Sequence, residues 1–175
     1  MIKTLAFIGS AALATLAGPA SAQPAPQLDD AAIAHIAYTA GSIDIAAAQQ
    51  ALKKSRNRQV RAFAQEMVRD HTAVNKQALA LVTTLHVTPK PNATSEGLQK
   101  DAGEKLHRFA GLSGAAFDRA YVRNEAAYHK TVNGALEGAL IPNAQNGELK
   151  SLLQTGLTLF REHQAHAEHL EQAVK

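Results

Sequence analysis

The 175-residue sequence has no cysteine, no tryptophan, and only five phenylalanines and three tyrosines. The lack of cysteine excludes a disulfide, a thiolate metal site and a covalently attached c-type haem. Because eight histidines are present, imidazole and carboxylate groups are the strong metal ligands that remain. The formal net charge is only +3 and no basic run is interleaved with aromatic residues, so the sequence predicts no nucleic-acid partner.

The sequence also lacks a hydrophobic run long enough to span a membrane, and the apolar run near its N-terminus is short. Leu5 to Leu16 is apolar but too short to span a bilayer, and Ala20-Ser21-Ala22 is a small-x-small cleavage site. This pattern is typical of a secretory signal peptide over residues 1–22, so we expect export and no membrane span in the mature chain. Residues 23–28 should be a loose leader, and residues 29–175 one domain with enough chain for a sizeable core.

The remaining sequence has helical periodicity, whereas the alternation typical of strands is missing. Apolar residues recur at steps of three and four in four long segments, which predicts four helices. Asp29 or Asp30 is a suitable N-cap for the first of them. We expect the helices from there to about Lys53, from Val60 to Leu85, from about Ala115 to Leu140, and from about Glu148 to Val174.

The segment Val87 to Gly114, between the second and third helices, has a different pattern. Pro89 and Pro91 end the second helix, and residues 89–97 predict a loop before a short helical piece from Leu98 to Phe109. A connection of this length could carry the chain from one end of a bundle to the other. We therefore predict an all-α, ferritin-like four-helix bundle with a long crossover between helices 2 and 3, and a plain up-and-down bundle is the alternative.

Each predicted helix carries at least one ionisable residue in the middle of its apolar stripe, namely Asp44, His71, His129 and His163, with Glu125 as an extra on the third helix. In a bundle such residues lie at similar heights and face the axis, so they should form a cluster of three imidazoles and one carboxylate. Such a cluster could hold zinc, copper or iron, and a tetrahedral arrangement would favour zinc. Nearby polar residues could add ligands or orient the rings by hydrogen bonds: Glu66, Asp70, Asn75, Glu125, Asn133, Glu162 and His166.

A buried hydrogen-bond network is the other interpretation of the same residues. An unpaired buried polar group costs roughly 1–3 kcal/mol, so each imidazole needs a partner, and Asp44 could accept from one or two of them. The Glu-x-x-His signature of di-iron proteins is absent at the three mid-helix histidines, because the residues three positions before them are Val68, Ala126 and Phe160. Glu104 and His107 do have the spacing, but they lie on the short crossover piece, where we expect a surface pair. No nucleophile elbow or phosphate-binding glycine loop occurs either, so the sequence favours a protein that is not an enzyme.

Several motifs resemble those of one known family. Phe63-Ala64, Met67 and Asp70-His71-Thr72 through Asn75 resemble the most distinctive motif of the exported bacterial family called domain of unknown function 4142. Gly41 through Asp44-Ile45 is similar to its Gly-x-x-Glu segment, with Asp where Glu is usual. The family's third-helix pattern is matched by Phe117-Asp118, Tyr121 and His129. Its last-helix pattern is matched by His163 with Ala167.

The resemblance covers nearly all of the mature chain, with one departure in the last helix. The family usually has a Leu-Pro-x-Leu lead-in and His-Leu, whereas this chain has Leu157-Thr158-Leu159-Phe160 and His163-Gln164. The resemblance implies a ferritin-like fold, export to the periplasm or outer envelope, and a shared polar set comprising Asp44, His71, His129 and His163. It supplies no metal, reaction, oligomeric state or protein partner.

Together these observations lead to three hypotheses. The first is an exported helical bundle that binds a transition metal through the shared polar set and serves in metal handling or envelope stress. The second is a structural or partner-binding module of the cell envelope, in which the buried polar residues only fix the register of the helices. The third is a metal-dependent enzyme, which would need an open coordination position with a water.

Overall fold

The computed structural model describes residues 28–174, in which helices and their connections occur without a strand. The all-α prediction is therefore confirmed for these residues. The predicted signal peptide, residues 1–22, lies outside the described residues, as does most of the predicted leader. In chain order the elements are α1 (Asp30–Lys54), α2 (Arg58–Thr84), α3 (Ala93–Ala110), α4 (Gly114–Ala135), a π-helical segment (Leu136–Leu140), α5 (Ile141–Asn143) and α6 (Gly147–Ala173).

The connection between α2 and α4 contains more helix than the sequence pattern predicts. Asn92 Oδ1 accepts a hydrogen bond from Ser95 N at 3.1 Å, and Ser95 Oγ accepts one from Asn92 N at 3.1 Å. This capping box satisfies backbone groups that a helix start leaves unpaired. It starts α3 at Ala93, so the predicted loop over residues 89–97 is wrong beyond Asn92 and the predicted short piece is an 18-residue helix.

The predicted third helix is helical throughout but not uniform. Its α-helical part, α4, ends at Ala135, and the chain then continues as the π-helical segment before α5. Leu136 and Leu140 at the two ends of that segment are both buried. The other long helices begin at side chains that accept backbone N–H hydrogen bonds: Asp29, Asn57 and Asn146.

Hydrogen bonds between the helices give their directions. The short connection of residues 55–57 makes α1 and α2 antiparallel neighbours. Lys90 N, just before α3, donates to Ala31 O at 3.1 Å near the start of α1. Lys54 Nζ, at the end of α1, donates to Ala110 O at the end of α3 at 2.7 Å. Helix α3 therefore runs beside α1 in the same direction.

Helix α4 runs against α1. Lys54 Nζ lies 5.8 Å from the centroid of the Phe117 ring near the start of α4. Further along both helices, Tyr128 Oη donates to Ala40 O at 3.0 Å. Because the end of α1 faces the start of α4, the two helices are antiparallel.

Helix α6 begins beside the start of α1. The Asp30 carboxylate accepts hydrogen bonds from Gln145 N at 2.8 Å and Asn146 N at 3.0 Å. Helices α1 and α6 therefore point one way and α2 and α4 the other, while α3 carries the chain from the end of α2 to the start of α4.

Two apolar clusters fill the core. The Lys54-side cluster is built around large buried side chains, among them Val60, Phe63, Met67, Phe117 and Tyr121. The Asp30-side cluster lies toward the other end of α1 and includes Ile33, Ile36, Leu136, Leu140, Leu153 and Phe160. On each of α1, α2, α4 and α6, one buried ionisable residue lies between the stretches that supply the two clusters: Asp44, His71, His129 and His163.

Among the described helices, α1 is long and apolar enough to cross a membrane by length and composition alone. Within its most apolar 18-residue window, 56% is buried against the rest of the protein. The core helix of a folded domain meets the same criterion, so packing accounts for the hydropathy of α1.

Candidate metal centre

The structure brings the four mid-helix residues together in the interior, between the two apolar clusters. Asp44, His129 and His163 are each 1% exposed and His71 is 3% exposed. They come from four different helices, α1, α4, α6 and α2 respectively, so no pair is joined by local chain geometry. The predicted common depth of these side chains is therefore present.

Three atoms of this set form a compact triangle. Asp44 Oδ2 lies 3.7 Å from His71 Nε2 and 3.6 Å from His129 Nε2. The two Nε2 atoms are 3.4 Å apart. A tetrahedral ion with bonds of about 2.0–2.1 Å holds its ligand atoms about 3.3 Å apart, so the triangle is close to the size of one coordination face.

His163 is the fourth member of the cluster. Its ring centroid lies 5.4 Å from those of both His71 and His129. One ligand atom from each of the three histidines falls within 4.8 Å of the other two. His163 Nε2 contacts Asp70 Oδ2 at 3.1 Å, whereas its Nδ1 is buried with no hydrogen-bond partner among the described residues. A carboxylate that holds the far side of an imidazole in this way fixes the orientation of a metal-ligating ring.

Hydrogen bonding also fixes the protonation of His129. Its Nδ1 lies 3.0 Å from the Glu125 carbonyl oxygen, which can only accept, so Nδ1 carries the proton. In the neutral ring Nε2 then has a free lone pair, and Nε2 is the atom that faces Asp44 and His71. The His71 ring is held differently, by stacking on Phe160 with centroids 4.6 Å apart and planes 12° apart.

Burial keeps the imidazoles of His71 and His129 neutral. It lowers the pKa of His71 to about 3, with a smaller contribution from His163. Burial likewise lowers the pKa of His129 to about 4, although nearby Asp44 opposes the shift. A metal ligand must have an unprotonated nitrogen, so both rings are in the binding-competent form at neutral pH.

The carboxyl groups beside the rings are shifted in the opposite direction. Burial raises the pKa of Asp44, against the effect of His129. Glu125 is fully buried on α4, and burial together with the Asp44 carboxylate raises its pKa well above 4.5. Glu125 is therefore a carboxyl group of raised pKa beside the triangle, and its Oε2 lies 3.9 Å from His129 Nδ1.

Several polar atoms around the triangle have no hydrogen-bond partner among the described residues: both Asp44 carboxylate oxygens, His71 Nδ1, His163 Nδ1 and Glu125 Oε2. Buried polar groups in native proteins are normally paired, and unpaired ones indicate an unsatisfied site, an ion or a water. The described side chains alone therefore do not complete the buried network that was the alternative interpretation.

The additional polar residues predicted to belong to the site differ in what they contact and in how exposed they are. Asp70 holds His163, and Glu125 holds His129 through its carbonyl oxygen. Glu66 lies at the surface side of His163 and contacts His166 Nδ1 at 2.8 Å. Glu162 is exposed on α6.

Asn75 and Asn133 do not make the predicted hydrogen bonds to the histidine rings. Asn75 Nδ2 donates to Tyr38 O at 3.3 Å and Ser42 Oγ at 3.1 Å on α1. Asn133 Nδ2 donates across α6, to a backbone carbonyl and to a glutamine side chain. Each amide lies one turn after a histidine, but it is used to join two helices rather than to orient a ring.

Gly41 makes the first of these junctions possible. A Cβ atom at this position would lie 2.4 Å from Asn75 Oδ1 and 3.1 Å from its Cγ. Glycine therefore allows the buried amide to sit directly against α1, one turn before Asp44. The sequence offered Gly41 only as part of a family motif.

Two contributors were not singled out from the sequence. Phe160 supplies the stacking surface for His71, and its position three residues before His163 in the apolar stripe was a usable signal. Arg69 donates to Asp70 from Nε at 2.7 Å and from Nη2 at 2.9 Å. Arg69 is exposed, and nothing in the helical pattern distinguishes it from other surface arginines.

An apolar cavity of about 210 Å³ adjoins the histidines on the Asp30 side. Small residues leave this space open, among them Ala37, Ala40, Ala78 and Gly156, and the rings of His71 and His129 lie at its edge. Its walls are almost wholly apolar, so the side of the metal centre that faces it is poorly solvated.

Comparison with solved structures gives a similar fold. A Streptomyces coelicolor protein, described as secreted and as DUF305, is similar with a TM-score of 0.62 over 83% of this chain and 88% of that one. The sequences are 10% identical, so the likeness concerns the fold. No curated protein matches the chain.

Family comparison agrees with the motifs quoted from the sequence. The model of the family described as Domain of unknown function (DUF4142) matches residues 15–170, which is most of the chain and includes Asp44, His71, His129 and His163. The chain belongs to this DUF4142 family.

Proposed function

We propose that the protein is an exported, ferritin-like four-helix bundle that binds one transition metal ion through Asp44, His71, His129 and His163. It would serve in metal handling or envelope stress, in the periplasm or outer envelope, rather than in turnover of a substrate. The fold part of the proposal is supported by the helix directions, because α1, α2, α4 and α6 with one long crossover through α3 have the connectivity of ferritin-like bundles. The export part is supported by the signal-peptide pattern and by the secreted description of the structurally similar Streptomyces protein.

The observation that carries the metal proposal is the triangle of Asp44 Oδ2, His71 Nε2 and His129 Nε2. Its sides of 3.4–3.7 Å would contract only slightly around an ion. An ion would also satisfy carboxylate and imidazole atoms that the described residues leave unpaired. The donors are imidazole nitrogen and carboxylate oxygen, which suit zinc, copper and iron.

The direct test uses the mature chain, residues 23–175, freed of metal by a chelator. Zn²⁺, Cu²⁺ and Fe²⁺ are titrated in turn by calorimetry, and the melting temperature is measured with and without each ion. We expect one ion per chain and a gain in stability of about 2.7 kcal/mol at a hundredfold excess over the Kd. His163→Gln should abolish this gain, whereas His169→Gln, an exposed histidine on the same helix, should retain it.

Binding of none of the three ions, with no change in melting temperature, would contradict the proposal. Equal loss of binding in the His163→Gln and His169→Gln variants would contradict the assigned ligand set.

A structural or partner-binding module of the cell envelope is the second candidate. It is favoured by the pairing of His163 with Asp70 and of His129 with the Glu125 carbonyl, which a buried polar network also requires. His71→Leu separates the two candidates. A residue that only fixes helix register can be replaced by a hydrophobic one with little loss or a gain in stability, whereas a ligand set should lose its ion.

A further inference from the structure

An ion that binds at the triangle must pass from solvent into a fully buried site. One chain of ionisable side chains bridges this distance, and their exposure falls step by step. The side chain of His166 is 44% exposed, that of Glu66 is 29%, that of Asp70 is 16%, and that of His163 is 1%. This series leads from the surface between α2 and α6 to the inner histidines.

The outer members of the series are close enough to act together. Glu66 Oε2 lies 2.8 Å from His166 Nδ1, and Asp70 Oδ2 lies 3.1 Å from His163 Nε2. One ligand atom each from Glu66, Asp70 and His163 falls within 4.8 Å of the other two. Glu66 and Asp70 are four residues apart on α2, so they project from the same face of that helix.

His163 belongs to two groups at once. It is a member of the outer group with Glu66 and Asp70, and of the inner group with His71 and His129. Its two ring nitrogens have different surroundings, since Nε2 contacts Asp70 while Nδ1 is buried without a partner among the described residues. No other residue is shared between these two groups.

We infer that Glu66, Asp70 and His163 form an outer site that captures a divalent transition-metal ion and passes it through His163 to the inner triangle. The inference rests on the proposed function, because it assigns a loading route to the same centre. Carboxylates at the mouth of a poorly solvated site concentrate cations there and raise the association rate. His166 supports the route by holding Glu66 in place.

Arg69 competes with an incoming ion for Asp70. Its guanidinium contacts both oxygens of the Asp70 carboxylate, and its side chain is 70% exposed. Exposed ion pairs are weak, so Arg69 can leave Asp70 when a divalent ion arrives. Removal of the Glu66 charge and removal of the Arg69 charge should therefore change the loading rate in opposite directions.

The test follows Co²⁺ binding to the metal-free mature chain by stopped-flow absorption at low ionic strength, since the visible bands of Co²⁺ report its coordination. Glu66→Gln should slow loading ~tenfold. It should slow release to a chelator by the same factor, because a residue on the route changes both rates and leaves the Kd of the inner site unaltered. Arg69→Gln should speed loading.

Two matched variants control for a general change in surface charge. Glu137→Gln and Arg123→Gln each remove one partner of an exposed ion pair elsewhere, Glu137–Arg161 and Arg123–Glu171. Both should load at the wild-type rate.

Normal Co²⁺ binding with unchanged rates in Glu66→Gln would overturn the loading route and leave the proposed function standing. A weaker Kd in that variant, with an unchanged rate of loading, would make Glu66 a ligand of the final site and would also overturn it. Failure of the wild-type chain to bind Co²⁺, Zn²⁺, Cu²⁺ or Fe²⁺ would overturn the proposed function itself.

Discussion

Replacement of Gly41 by alanine tests how closely α1 must approach α2 beside the metal centre. The new Cβ would lie 2.4 Å from Asn75 Oδ1, so the amide must turn away. Asn75 is only 8% exposed, and its Nδ2 would lose hydrogen bonds to Tyr38 O and Ser42 Oγ. The substitution should therefore destabilise the protein although alanine is the better helix former.

The size of the effect follows from two opposing contributions. A buried polar group that loses its partners costs about 1–3 kcal/mol. Alanine in place of glycine inside a helix returns about 1 kcal/mol. We expect Gly41→Ala to lower the free energy of unfolding by up to about 2 kcal/mol, measured by urea denaturation of the metal-free chain with an unchanged m-value.

Two further variants make the reasoning specific to the Gly41–Asn75 contact. Gly134→Ala is the matched control, because this glycine lies in α4 and a Cβ added there would have nothing within 4 Å. The Gly134→Ala substitution should stabilise the protein by about 0.5–1 kcal/mol. In an Asn75→Ala background the clash no longer exists, so Gly41→Ala should also become stabilising. Additive effects of the two substitutions, or a gain from Gly41→Ala alone, would refute the proposed contact.

Two predictions concern the ionisable groups of the metal-free centre. Between about pH 6.5 and pH 4, His71 and His129 should each contribute a loss of stability as the pH falls, because they take up protons only after unfolding; their native pKa values are about 3 and about 4. From pH 7 to pH 5 this contribution is about 2 kcal/mol for each ring, so urea denaturation should show His71→Leu gaining about that much stability relative to the wild type over this interval. Glu125→Gln should act in the other direction: its raised native pKa makes the wild type lose stability as pH rises above the unfolded value near 4.5, so the variant should gain on the wild type from pH 5 to pH 7. A stability difference between Glu125→Gln and the wild type that does not change with pH would contradict this assignment.

The depth of the four site residues could be predicted from the sequence. Asp44, His71, His129 and His163 each interrupt an apolar stripe of constant helical period, and the period fixes which face of the helix is buried. The length of the middle segment likewise predicted a crossover. Both features depend on distances along one chain segment, which the sequence displays directly.

Contacts between helices could not be predicted in the same way. Asn75 follows His71 by one turn, which suggested a hydrogen bond to the ring, but the amide instead faces α1 because Gly41 leaves room for it there. Which neighbour a side chain meets depends on the rotation and spacing of two helices. The start of α3 was missed for another reason, since the capping pair Asn92 and Ser95 outweighs the loop signal of the preceding prolines.

The cavity beside the histidines bears on how the molecule responds to hydrostatic pressure. Unfolding removes internal voids and so lowers the total volume, which makes compression favour the unfolded chain. The hollow of about 210 Å³ lies on the Asp30 side, and a second one of about 160 Å³ lies beside Ala47 and Phe109 of the Lys54-side cluster. Compression should therefore favour unfolding through voids in both halves of the molecule, with the larger contribution to the volume change coming from the Asp30 side.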